Sequence, residues 1–251
     1  MTKSIEWLKR SDSPAVRLIC FPYAGSGPSV FRSWVKLVPH DCDLLAVSLP
    51  GREKRLNEPY CESVNDVLSD LSGIEELVFD LPFMVFGHSM GALIAFEFVR
   101  KLQSEKLSLP KLFVASGCVA PQEIHKRRKI SSLCDAEFLK QLRSYQGTPE
   151  SIFKDQELLK IFTPRLRADM KILDDYMFIS GKKINCPILG MYGDDDQYVP
   201  DHLFSSWKEL TQEAFFAREF SGGHFYINEL RNQVINNIFE FEKKLIAGVK
   251  A

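Results

Sequence analysis

A serine set between glycines, Gly87-His88-Ser89-Met90-Gly91, is the first place in this chain where residue types and spacing could do covalent chemistry. A serine hydroxyl is a poor nucleophile until a base takes its proton, so a histidine must reach it from elsewhere in the chain. Of the five histidines, His40 and His202 lie in polar connections and His125 opens a basic run; each reads as a solvated surface residue. His88 adjoins the serine, but its side chain should point away from that of Ser89, which makes it a packing or hydrogen-bonding neighbour. His224 differs. It lies in Ser221-Gly222-Gly223-His224-Phe225, where two glycines let a loop swing an imidazole toward a partner. The base in turn needs a carboxylate to orient it, and Gly193-Asp194-Asp195-Asp196-Gln197-Tyr198-Val199 offers three. Only one has to reach the imidazole; the others read as turn formers or solvated charges, and the residues alone leave the choice open. Attack on an acyl carbonyl also requires two backbone N–H donors for the oxyanion. One should come from Met90, next to the nucleophile, and the other from the loop Pro22-Tyr23-Ala24-Gly25-Ser26-Gly27. That loop lacks the Lys-Ser/Thr of a phosphate-binding P-loop and the full dinucleotide fingerprint.

These groups can meet only if the elements between them bring their loops to one edge. Residues 16–21, 44–49, 83–86 and 112–115 form almost continuously apolar runs, as expected of parallel strands covered on both faces. Helical stretches are expected between them at 29–38, 64–79 and 90–102; in the second, Val64, Val67, Leu68, Leu71, Ile74 and Leu77 recur at helical spacing, as a face packed on a sheet would. After Pro121 the rhythm changes to helical patterns alone, at 136–144 and 165–178. Strands resume at 187–192 and 215–220, with helices at 200–210 and 229–246. The serine thus follows one strand and opens a helix, the acid follows a later strand, and the histidine follows the last. That is the chain order and setting of an α/β-hydrolase fold. The expected class is α/β: a mostly parallel central sheet flanked by helices, one domain over residues 1–251, with a helical lid inserted at about 122–185. The lid is expected to cover the C-terminal edge of the sheet, where ligands bind in open α/β sheets, and to be mobile over 124–184.

Composition narrows the surroundings. A formal charge of −1, with 26% charged and 45% apolar residues, gives no electrostatic reason to expect nucleic acid or an anionic membrane as partner. No run of about twenty apolar residues is present to span a bilayer. The six cysteines show neither a C-x-x-C pair nor a histidine at metal spacing. With no leader-like stretch in the first fourteen residues, such free thiols point to a cytoplasmic setting.

The longer motifs resemble one family, the type II thioesterases that accompany polyketide and nonribosomal peptide synthetases. The resemblance runs nearly end to end. It rests on Phe21-Pro22-Tyr23-Ala24-Gly25, Leu49-Pro50-Gly51-Arg52-Glu53-Lys54-Arg55, Gly87-His88-Ser89-Met90-Gly91-Ala92, Ser116-Gly117-Cys118-Val119-Ala120-Pro121, Leu166-Arg167-Ala168-Asp169 and Gly222-Gly223-His224-Phe225. The P-G-R-E-x-R and L-R-A-D segments weigh most, because generic hydrolases do not share them. The resemblance implies Ser89, Asp196 and His224 as a triad, with Asp196 favoured by its place three residues after Gly193, and the amides of Ala24 and Met90 as oxyanion donors. It further implies a standalone monomer, without cofactor, that hydrolyses acyl thioesters on the 4′-phosphopantetheine arm of an acyl- or peptidyl-carrier protein. The basic run His125-Lys126-Arg127-Arg128-Lys129 is then a candidate docking surface for an acidic carrier. A carboxylester hydrolase or an acyltransferase on the same scaffold remains open, as does a hydrolase fold used only for binding.

Overall fold

Seven strands form one twisted sheet in the order β1-β3-β2-β4-β5-β6-β7 in the computed structural model, which describes residues 3–74, 79–145, 147, 148 and 150–246. The strands are β1 (Ile5–Lys9), β2 (Val16–Phe21), β3 (Cys42–Val47), β4 (Phe83–His88), β5 (Leu112–Ser116), β6 (Ile188–Gly193) and β7 (Phe215–Phe220). All neighbours pair in parallel except β1, which runs antiparallel to β3 along one edge. Every residue of β2, β3, β4 and β5 is buried. Their almost continuously apolar runs therefore supply both faces of the sheet with core, the buried Arg17 of β2 and Asp43 of β3 being paired with each other.

On one face α1 (Val64–Asp70) and α2 (Met90–Ser104) pack Val67, Leu93, Phe96 and Val99 against Phe21, Val85 and Phe113. On the other, a 3₁₀ segment at Pro28–Lys36 contributes Phe31 and Trp34. The last helix, α8 (Arg231–Ile246), adds Val234, Ile235 and Ile238, the spacing of one helical stripe. Between β5 and β6 lie a 3₁₀ turn at Pro121–Lys126 and the helices α3 (Asp135–Ser144), α4 (Glu150–Lys154) and α5 (Gln156–Asp174). Two short helices, α6 (Asp201–Phe204) and α7 (Tyr226–Glu229), follow β6 and β7. Among the described residues no helix is long and apolar enough to cross a membrane.

The departures from expectation are local. Strand β1 went unread because it is a five-residue edge strand, mostly half-exposed, with a register break between Trp7 and Lys9. The helix expected at 29–38 is 3₁₀, and that at 200–210 is α6 followed by 3₁₀ residues Ser205–Glu209. Within the stretch 64–79 helix α1 ends at Asp70, residues 71–74 form a turn, and positions 75–78, including Leu77, lie outside the described residues. Helix α5 starts at Gln156, nine residues before the expected 165, and carries Pro164 inside it. Proline removes one helical hydrogen bond there, a local loss that the packing of the remaining turns overrides. Its start is fixed by Asp155, whose carboxylate accepts from the N–H groups of Glu157 and Leu158 at 2.9 and 3.1 Å.

Candidate active site

Three loops at the C-terminal ends of β4, β6 and β7 converge, as the parallel order of those strands requires. Ser89 stands between β4 and α2 with φ +54° and ψ −121°, a conformation that L-residues rarely adopt and that projects its hydroxyl out of the turn. The flanking glycines are steric necessities. A Cβ on Gly87 would lie 2.3 Å from the Gly91 carbonyl oxygen, and one on Gly91 would lie 2.2 Å from that of Phe21. The Ser89 N–H is anchored to the Ser116 carbonyl at 2.8 Å.

His224 Nε2 lies 3.0 Å from Ser89 Oγ, and its Nδ1 lies 2.7 Å from Asp196 Oδ2. The ring and the carboxylate are both buried, so little water competes for these bonds. The second oxygen of Asp196 accepts from the Tyr198 N–H at 3.0 Å, leaving Oδ2 facing the imidazole. Asp194 and Asp195 point to solvent. Asp194 nevertheless accepts from the Gly222 N–H at 2.8 Å, tying the acidic loop to the glycine turn before His224.

Met90 is the first residue of α2, so its N–H has no partner four residues back in the helix. Ala24, Ser89 and His224 line one narrow cavity of about 40 Å³, and Met90, Ser89 and His224 line an adjoining one of about 20 Å³. The first is walled by Leu142, Leu166 and Met170 of the inserted helices, the second by Val119, Leu173 and Val199. A wider surface groove bordered by Leu68, Arg100, Ile172 and Met177 contains none of these polar groups.

His88 is fully buried beneath the site. Its Nδ1 is 2.8 Å from Ser116 Oγ, which is 2.6 Å from the Tyr226 hydroxyl. Burial, and then the nearby His224, push its pKa well below the ordinary histidine value, so it is neutral. His40, His125 and His202 are exposed. Cys118 lines the second cavity, but burial raises its thiol to about 12, which keeps it protonated and inert. Arg127 borders both cavities and donates to the Tyr145 hydroxyl at 3.0 Å. Nothing in the sequence singled out Tyr145 or separated Arg127 from its basic neighbours, because only the fold turns one member of that run, half-buried, toward the cavities. Among the described residues no group of three or more His, Cys, Asp or Glu side chains could hold a metal ion.

A family model for the thioesterase domain matches residues 16–241. The chain belongs to the thioesterase family. It is an enzyme that acts on thioesters, and the hydrolase fold used only for binding is set aside. Thioesterase PikA5 of Streptomyces venezuelae is 34% identical over 92% of this chain and 84% of its own length. The gramicidin S biosynthesis protein GrsT of Aneurinibacillus migulanus is 33% identical over 88% of this chain and 86% of its own. The solved type II thioesterase BorB from the borrelidin biosynthetic cluster is 32% identical, superposes with a TM-score of 0.84, and covers 95% of this chain and 97% of its own. The resemblance to type II thioesterases read from the motifs is thereby matched along nearly the whole chain, and the α/β-hydrolase fold with it.

Proposed function

We propose that this thioesterase hydrolyses acyl thioesters carried on the 4′-phosphopantetheine arm of a carrier protein, and that it edits or releases acyl groups in polyketide or nonribosomal peptide biosynthesis. The observation that carries the reading is the chain of hydrogen bonds Ser89–His224–Asp196 opening into a partly apolar cavity roofed by the inserted helices. Relatives whose names place them in gramicidin S and borrelidin biosynthesis support the pathway class.

In this reading Ser89 Oγ attacks the thioester carbonyl while His224 Nε2 takes its proton. Asp196 holds Nδ1–H and balances the imidazolium. The amides of Ala24 and Met90 receive the oxyanion. The C–S bond breaks, the pantetheine thiolate leaves with the proton from His224, and an acyl-Ser89 ester remains. Water, deprotonated by His224, then attacks that ester and frees the acid and the serine. Every proton passes through His224, and no cofactor is called for.

The test compares one acyl group on a carrier protein, on N-acetylcysteamine and on an oxygen ester. The expected order of kcat/KM is carrier protein above N-acetylcysteamine thioester above ester, with an acyl adduct on Ser89 visible by mass spectrometry after rapid quench. Preference for the oxygen ester, or transfer of the acyl group to an added acceptor in place of water, would overturn the reading.

A further inference from the structure

Two motifs that generic hydrolases lack, P-G-R-E-x-R and L-R-A-D, meet in the structure at a point that the triad does not explain. Arg52 and Asp169, 117 positions apart, form a bidentate ion pair: Arg52 Nη1 donates to Asp169 Oδ2 at 2.7 Å and Nη2 to Oδ1 at 2.8 Å. Arg52 is 1% exposed and Asp169 0%. A buried pair of this kind adds little net stability over apolar residues of similar volume, because both charges lose their water. Its partners suggest another use.

Asp169 Oδ2 also accepts from the Gly25 N–H at 2.6 Å, and Arg52 Nη1 also donates to the Ser26 carbonyl at 3.0 Å. The pair therefore grips the loop after β2 by an N–H and a carbonyl of adjacent residues. The other side of that turn is closed on the Tyr23 carbonyl, which accepts from the Ser26 N–H at 3.1 Å and from Ser26 Oγ at 2.6 Å. Tyr23 C=O and Ala24 N–H belong to one trans peptide plane and point in opposite directions. Holding that carbonyl into the turn aims the Ala24 N–H out of it. Helix α5 supplies a second contact from the same face: Leu166 and Asp169 are three residues apart, hence neighbours on the helix surface. A Cβ at Gly25, where φ is +78°, would lie 2.4 Å from a Leu166 methyl carbon. The spacing of L-R-A-D is thus the spacing that lets one helical face touch Gly25 twice.

We propose that Arg52 and Asp169 are positioning residues for the Ala24 oxyanion donor, coupling it to helix α5 of the insertion. The proposal rests on the reading above that Ala24 is such a donor and Ser89 the nucleophile.

The test uses Asp169→Asn, Arg52→Lys and the double variant Arg52→Met/Asp169→Leu, assayed with a small acyl-N-acetylcysteamine so that carrier docking plays no part. The double variant removes both charges together and guards against simple loss of folding. At a temperature well below each variant's Tm, the double variant is expected to lose about a hundredfold in kcat with KM within about twofold, the cost of a displaced donor. Affinity for an alkyl boronate, whose Ser89 adduct is tetrahedral, should fall in step with kcat/KM, while affinity for the product acid holds. The acid limb of the pH–rate profile should not move, since His224 and Asp196 are untouched. Wild-type turnover in the folded double variant, or a fall in turnover with boronate affinity unchanged, would overturn the proposal. Boronate binding that persists in Ser89→Ala would instead overturn the nucleophile reading beneath it.

Discussion

Asp194, Asp195 and Asp196 carry one side-chain chemistry in three environments. Only Asp196 is buried with an oxygen on the imidazole, so Asp196→Asn is expected to lower kcat by about 10⁴, because the amide favours the wrong tautomer of His224. Asp195→Asn should be mild. Asp194→Asn should be mild as well, since an amide oxygen can still accept from Gly222. Steady-state turnover with circular dichroism as a folding control decides it, and a large loss at Asp195 with little at Asp196 would reassign the acid. His88 allows a second prediction. Its folded pKa is depressed, so the folded state stays neutral while the unfolded chain takes a proton below about pH 6.5. The stability from burying it neutral is fully present above pH 6.5 and is lost as pH falls toward the folded pKa. One proton corresponds to a slope of about 1.4 kcal/mol per pH unit. Denaturant titrations from pH 7 to 5 should show stability falling with a slope that steepens toward that limit as the pH drops, and a shallower fall in His88→Gln.

At the scale of elements, the insertion divides into parts that are held very differently. The C-terminal half of α5 buries Leu166, Asp169, Met170, Ile172, Leu173 and Asp174. Asp174 accepts from the N–H groups of Ile130 and Ser131 at 2.8 and 2.7 Å, and Tyr176 donates to Glu97 of α2 at 2.6 Å. By contrast α4 and the first turns of α5 are largely solvated, with Leu158 and Ile161 turned outward. We therefore predict that a lid motion involves residues 150–163, and not the whole of 124–184. Amide hydrogen exchange should be fast across 150–163 and slow across 165–174, near the rate of β4 and β5. Equal protection in the two halves of α5 would remove this division.

Across the whole molecule, a near-neutral surface makes a local cluster of charge the feature by which a partner would orient. Within the basic run, Lys126 is paired with Glu123 at 2.5 Å and Arg127 turns toward Tyr145 and the cavities. Arg128 and Lys129 are exposed and remain for docking. Reversing both to Glu is expected to lower kcat/KM for an acyl-carrier protein about tenfold at low salt, with the gap closing as salt rises. Hydrolysis of the N-acetylcysteamine thioester should be unchanged. Loss on both substrates would point to damage to the insertion, and no loss on either would return the run to a solvated loop.

Glycine and apolar periodicity made much of this legible from sequence. Gly87 and Gly91 around Ser89, the glycine turn before His224, and the mostly apolar runs of the four central strands are local facts, because a turn needs its glycines and a strand covered on both faces is largely apolar. Chain order named the fold, and the motifs named the family. What proximity decides was not local. The residues alone could not choose among three adjacent aspartates, since burial and a 2.7 Å contact are properties of the converged loops. The edge strand β1 hid because it is only five residues long and half-exposed, and the helix through Pro164 because the Asp155 cap starts it and the packed turns beyond the proline hold it. Arg52 and Asp169 stood out as motif letters, yet their common purpose at Gly25 exists only where β2, the loop after β3 and α5 meet. Charges so far apart in sequence can be buried as one pair only after the chain has folded around them.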